Sequence, residues 1–171
     1  MAIALALLVT LGCGSHRQDP TAAEYQRLAS WIEDIARGLP RDPDELVSAT
    51  ASEGWAQATG WARGGEVSGR RTPPPQVANR AARWPTLAAA LRDGSLVLAP
   101  TGLVAPRPDL PPAYRRVAEP LADQENLDRR SIDRIVSGLA GDAQAWQAES
   151  TVLRTQRDRE AGGKPWVPAK K

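Results

Sequence analysis

Residues 112–139 read PAYRRVAEPLADQENLDRRSIDRIVSGL, and their spacing decides the fold class. Tyr114, Val117, Leu121, Ile132, Ile135, Val136 and Leu139 recur in steps of three and four, which gathers them on one side of a long helix. Pro112 suits a first helical position, where the missing N–H is not needed, whereas Pro120 is expected to kink or divide the run. Gly141-Asp142 breaks the pattern. A last helix is expected over 143–160, with Trp146, Val152 and Leu153 apolar and Gly162-Gly163 as its stop.

Upstream of residue 112 the character changes. The stretch 106–112 (PRPDLPP) is a rigid connector, and before it Leu96–Ala99 and Leu103–Ala105 flank Pro100-Thr101-Gly102. Two β-prone runs around a Pro/Gly turn predict a short hairpin near residues 95–105. Another helix is expected from Val77 to Arg92, bent or split at Pro85 and closed by Asp93-Gly94. Residues 64–76 (GGEVSGRRTPPPQ) read as a linker, with glycines favouring disorder and three prolines favouring polyproline II geometry.

The N-terminal helical region spans 21–63. Thr21-Ala22-Ala23-Glu24 has the spacing of a capping box. Tyr25, Leu28, Ile32, Ile35 and Leu39 follow as one apolar stripe ended by Gly38 and Pro40. Asp42-Pro43 opens a second helix that runs weakly to Arg63, punctured by Gly54 and Gly60. The fold expected is mainly α: four to five helices, one short hairpin and Pro-rich connectors.

Ala2–Leu11 (AIALALLVTL) is the chain's only wholly apolar run apart from Thr10, and the only cysteine, Cys13, follows within Gly12-Cys13-Gly14-Ser15. A helix of that length reaches roughly 15 Å, half of a bilayer core, which suits the apolar segment of an export signal rather than a span. Small residues around the cysteine resemble the lipobox of bacterial lipoproteins. That resemblance implies a signal peptide over 1–12, lipidation at Cys13 and a polar tether over 13–20. It places the protein in the bacterial cell envelope, lipid-anchored to a membrane and facing the periplasm or exterior.

About 158 residues remain after the leader, enough for a real core. There is no Phe, so six Trp, two Tyr and the leucines must supply bulk. Trp31, Trp55 and Trp146 lie on apolar faces and are expected in the core, whereas Trp61 and Trp166 lie among Gly and Pro, where they are candidates for exposed ligand contacts. A single cysteine excludes an internal disulfide. With a net charge of +2 and acids interspersed throughout, no nucleic-acid footprint is present.

Catalytic chemistry is not legible. The only histidine, His16, lies in the tether, so no Cys–His or Ser–His pair and no zinc set can be assembled, and no cofactor is expected. Glu33-Asp34 and Asp44-Glu45 are adjacent acids of the kind that normally lie on solvated helix surface. Six arginines between Arg63 and Arg92 face only Glu66, which suits either a solvated face or anionic lipid heads. Glu125 and Arg129, and Asn126 and Arg130, stand four apart. They are either exposed helical pairs, or part of a group in which Asn126, Asp128 and Arg129 form a polar contact patch or anchor the neighbouring hairpin.

The order of motifs in the C-terminal half resembles the YdbL-like family of unknown function. The resemblance rests on Gly94–Pro106 (GSLVLAPTGLVAP), on Glu125-Asn126-Leu127-Asp128-Arg129 ahead of Ile132, and on the ending Gly163, Trp166, Lys170 and Lys171. It covers Trp84 to Lys171, within a YdbL-like helical region over 77–171. Members are small exported proteins or lipoproteins of bacterial envelopes, often encoded beside AsmA-like lipid-transport proteins. The resemblance implies a non-enzymatic accessory role with a protein partner in the envelope, and binding at Asn126, Asp128 and Arg129. Two other functions remain open on residue types alone: a cell-wall or glycan binding module using exposed Trp, and a carboxylate-dependent hydrolase.

Overall fold

A computed structural model describes residues 20–46 and 52–167. The leader, Cys13 and His16 lie outside the described residues, as do Lys170 and Lys171. The chain is mainly α-helical, as its periodicity predicts.

Helix α1 (Ala22–Ile35) starts at the expected capping box: Thr21 Oγ1 accepts from the Glu24 amide, and the Glu24 carboxylate accepts from the Thr21 amide at 2.7 Å. Its buried face carries Tyr25, Leu28, Ala29 and Ile32, but Leu39 lies beyond the helix and is exposed. A 3-10 turn over Pro43–Leu46 precedes α2 (Glu53–Arg63), which Ser52 caps through the Trp55 amide. The single weak helix expected from residue 42 is therefore two elements.

The expected linker at 64–76 is largely ordered structure. Strands β1 (Gly65–Val67) and β2 (Arg70–Thr72) pair antiparallel, joined by Ser68 and Gly69, both with positive φ. That two-residue turn has the twist that closes a hairpin. Three-residue strands with an exposed polar β2 leave no alternation to read. Pro74 and Pro75 then start α3 (Pro75–Asp93).

Neither Pro85 in α3 nor Pro120 in α4 (Pro112–Ala140) divides its helix. Both are exposed, so the carbonyl each leaves unbonded one turn earlier can be hydrated. Gly141 in a left-handed conformation ends α4, and α5 (Ala143–Glu160) has the predicted bounds. Strands β3 (Leu96–Leu98) and β4 (Val104–Pro106) form the expected hairpin. A third strand, β5 (Lys164–Pro165), adds parallel to β3, giving the order β4-β3-β5.

Two apolar clusters share these helices. One holds Tyr25, Leu28, Ile32, Trp55, Val77, Ile132, Val136 and Trp146, with Trp31 beside them. The other joins Leu87 and Leu91 of α3 to the sheet and to Ala118 and Ala122 of α4. The tryptophans expected in the core are there. Tyr114 and Val117 of α4 lie outside it, 66% and 70% exposed, because the buried side of this part of α4 carries Ala118 and Ala122. Val152 is also exposed.

Candidate functional site

Along α3 the first cluster supplies Val77 and the second Leu87; along α4 the second supplies Ala122 and the first Ile132. What lies between on both helices is charged. Arg80 and Arg83 of α3 meet Glu125, Asp128 and Arg129 of α4, with Glu33 from α1 and Arg154 and Asp158 from α5 completing a polar layer. The adjacent acids Glu33 and Asp34, expected on the surface, are 2% and 4% exposed. Both are matched by charge: Glu33 meets Arg80 and Arg154, and Asp34 meets Arg41 and Arg157.

Arg80 forks onto Glu33, with Nη1 and Nη2 each 2.7 Å from a carboxylate oxygen, and donates from Nε to Glu125 at 2.8 Å. Arg129 donates from Nε to the same Glu125 oxygen at 2.7 Å and from Nη1 to Asp158 at 2.8 Å. Arg154 takes Asp133 through both terminal nitrogens, at 2.8 and 2.7 Å, and Glu33 through Nε at 3.2 Å. Trp146 Nε1 donates to Asp133 at 2.9 Å, tying the layer to the first apolar cluster. Each of these three guanidiniums bonds through all three of its nitrogens, which offsets much of the cost of desolvation.

Burial alone would raise the pKa of Glu33. The Arg80 charge and hydrogen bonds, with Arg154 and Arg129 behind them, overcome that and hold it well below the carboxylate range. Burial is likewise outweighed at Glu125, which Arg80 and Arg129 pull down to about 2. Arg80 and Arg129 are themselves raised, burial being outweighed by Glu33 and Glu125 for the first and by Asp158 and Glu125 for the second. Arg37 goes the other way: burial lowers it, and the attraction of Glu33 and Asp158 does not make up the difference.

The three candidate binding residues on α4 separate by direction. Asn126 is buried and bonds the backbone of Val104 in β4 through both ends of its amide. Arg129 is buried too, and its Nη1 also donates to the Gly102 carbonyl in the hairpin turn at 2.8 Å. These two therefore anchor the hairpin. Asp128 alone reaches a groove, where it holds Arg83. The Glu125–Arg129 pair, read as a choice between exposed pair and anchor, is wholly inside.

That groove, about 600 Å³ between α3 and α4, is lined by Asn79, Arg83, Thr86, Gln124, Leu127 and Asp128. A second, apolar groove of about 470 Å³ sets Trp61 against Pro73, Pro74 and Pro75. A third hollow of about 220 Å³ lies among Arg37, Trp84 and Arg157. Among the described residues, no three His, Cys, Asp or Glu side chains are grouped to hold a metal ion. No described helix is long and apolar enough to cross a membrane.

The residues that sequence reasoning missed are Glu33, Arg80, Arg154, Asp133 and Asp158. A signal for them existed. Arg80 stands three residues after Val77, and Arg154 and Asp158 continue the Trp146–Ser150 face of α5. Charges of both signs thus fall in register with apolar stripes on four helices. No family model matches the chain, and no curated protein and no solved structure matches it.

Proposed function

We propose that the chain is a non-enzymatic partner-binding protein of the bacterial envelope, tethered to a membrane through lipid on Cys13 and serving an AsmA-like lipid-transport assembly. Its YdbL-like motifs and its leader support the place. What supports the non-enzymatic role is the pairing in the buried layer. A carboxylate hydrolase needs an acid with raised pKa facing an ionised partner across a cleft. Here Glu33 and Glu125 are driven below the ordinary range, and both are engaged by arginines within the helix packing. The partner face is the groove between α3 and α4, where polar Asn79, Arg83, Gln124 and Asp128 surround Leu127, which is 67% exposed.

A glycan-binding reading retains two supporting observations, the groove that sets a half-buried Trp61 beside the prolines and the exposed Trp166. Three of the other tryptophans are core residues.

Two measurements test the proposal. Palmitate labelling of the parent and of Cys13→Ser, followed by fractionation, is expected to show label and membrane association in the parent alone. A photo-crosslinking residue at position 127 is expected to give one discrete adduct in envelope membranes, and the same residue at exposed position 152 none. Unlabelled parent protein removes the anchor, and equal crosslinking at both positions removes the partner face. Pelleting with cell-wall glycan, abolished by Trp61→Ala, would replace the proposal with the second reading.

A further inference from the structure

The four most buried arginines of the layer are not equally bonded. Arg80, Arg129 and Arg154 each use Nε, Nη1 and Nη2. Arg37, whose side chain is 9% exposed, makes one hydrogen bond, from Nη2 to Asp158 at 3.4 Å. That same carboxylate already accepts two from Arg129, at 2.8 and 3.3 Å. Arg37 Nε and Nη1 are buried with no hydrogen-bond partner. Its Cζ lies 4.6 Å over the Trp84 ring, which offsets part of the charge but supplies no lone pair. Buried donors left so are costly and call for an explanation.

Beside them is the hollow of about 220 Å³, walled by Arg37, Trp84, Leu39 and Ala161, with Arg157, Asp34 and Glu160 at one side. Arg157 adds a third buried donor without a partner, its Nε. Its terminal nitrogens hold the two acids, Asp34 at 3.1 Å and Glu160 at 3.2 Å. Arg41 takes the other Asp34 oxygen at 3.3 Å. Both acids are thus ion-paired, although Asp34 Oδ1 is buried without a hydrogen bond, and the guanidinium with two nitrogens short of acceptors is Arg37.

We propose that this hollow binds a carboxylate carried on a short apolar body, with the carboxylate accepting from Arg37 and the apolar part lying against Trp84 and Leu39. Arg157 is matched by two acids, so Arg37 leaves one positive charge for a ligand, which fits a monoanion. A dianion such as phosphate would meet Asp34 and Glu160 without a second unmatched cation. The volume admits a small acid, being roughly seven times the share of a water molecule in the liquid. Entry requires the Arg37 side chain to turn its shielded N–H groups toward the hollow. The single long bond to Asp158 is what it gives up.

The test is titration of the full chain, followed by proton–nitrogen correlation spectra of the Trp84 indole N–H and the Arg37 Nε–H. Hexanoate and N-acetylleucine are the probes; N-acetylleucine amide, inorganic phosphate and sodium chloride are the controls. The expected result is a saturable shift of both resonances, with a midpoint of roughly millimolar for at least one carboxylate. The amide and phosphate should bind at least about tenfold more weakly, and so should the carboxylate to Arg37→Gln. Preference for hexanoate assigns a free acid as the source and preference for N-acetylleucine a peptide C-terminus; either supports the site. No saturation by about 50 mM, equal shifts with phosphate or the amide, or an unmoved Arg37 Nε–H in the parent chain overturns it. The last readout needs no variant and stands even if Arg37→Gln fails to fold.

Discussion

Asn126 of α4 stands in for a missing strand beside Val104 of β4. Its Nδ2 donates to the Val104 carbonyl at 2.8 Å, and its Oδ1 accepts from the Val104 amide at 3.0 Å. Val104 opposes Leu98 across the ladder and turns its own polar groups away from β3, so without Asn126 both would be buried and unbonded. Asn126→Ala is expected to lower stability by about 2–6 kcal/mol, the sum of two unsatisfied backbone groups. Urea unfolding measures the loss, and amide hydrogen exchange at Val104 locates it. Unchanged protection at Val104 would mean that water or a shifted strand replaces the amide.

Arg80 holds Glu33 and Glu125 together, and removing it leaves two carboxylates facing each other inside the protein. Arg80→Met is expected to cost about 3–5 kcal/mol, the range for stripping one partner from a buried pair. Arg80→Lys keeps the charge but not the fork, and should fall between parent and Met variant. Arg107, 42% exposed and bonded to an Asp109 that is 74% exposed, is the contrast. Its replacement by Ala should change stability by less than about 1 kcal/mol. Similar losses at both positions in urea unfolding would refute the weight given to the layer.

Legibility divided along the same physical line. Elements specified by neighbours in the chain were readable: the capping box at Thr21 and Glu24, the break at Gly141-Asp142 and the hairpin turn at Pro100–Gly102 each act over a few residues. Elements that exist through distant partners were not. β5 is two residues paired with β3, and β1–β2 is held by a turn with little apolar alternation. The buried layer was hidden for a further reason. A charged residue inside an apolar stripe reads as the stripe's edge, because the counter-charge that permits burial lies on another helix: Glu33 and Arg80 are 47 positions apart, Glu33 and Arg154 121. Asn126 and Arg129 were singled out as either contact patch or hairpin anchor, and only their direction distinguishes the two.

Acid should unfold the protein through Glu33 and Glu125. Both have folded pKa values below the ordinary 4.5, that of Glu125 about 2. Their contribution is therefore complete above about pH 4.5 and is lost as pH falls toward 2. For Glu125 the shift corresponds to a loss on the order of 3 kcal/mol. Calorimetric Tm is expected to be nearly flat from about pH 8 to 5 and to drop steeply below. Glu125→Gln should start lower at neutral pH and show a shallower acid slope. A slope equal to the parent's would assign the acid sensitivity to other carboxylates.

The two glycines of α2 should respond to the same substitution with opposite sign. A Cβ on Gly54 would stand 2.5 Å from the Leu139 carbonyl oxygen and 3.4 Å from the Ala140 Cα, backbone atoms of the last turn of α4 that cannot rotate aside. A Cβ on Gly60 would meet nothing within 4 Å. Both positions gain helix propensity on becoming alanine, by roughly 1 kcal/mol. At Gly60 nothing opposes that gain, so Gly60→Ala is expected to raise stability by up to about 1 kcal/mol. At Gly54 the clash forces α2 away from α4 and loosens Trp55, which packs edge-on against Tyr25 at 6.4 Å. Overpacking of this kind costs about 1–3 kcal/mol or more, so Gly54→Ala is expected to be net destabilising despite the propensity gain. Thermal unfolding of the two single variants decides it, since a stabilising Gly54→Ala would be incompatible with α2 seated on the end of α4.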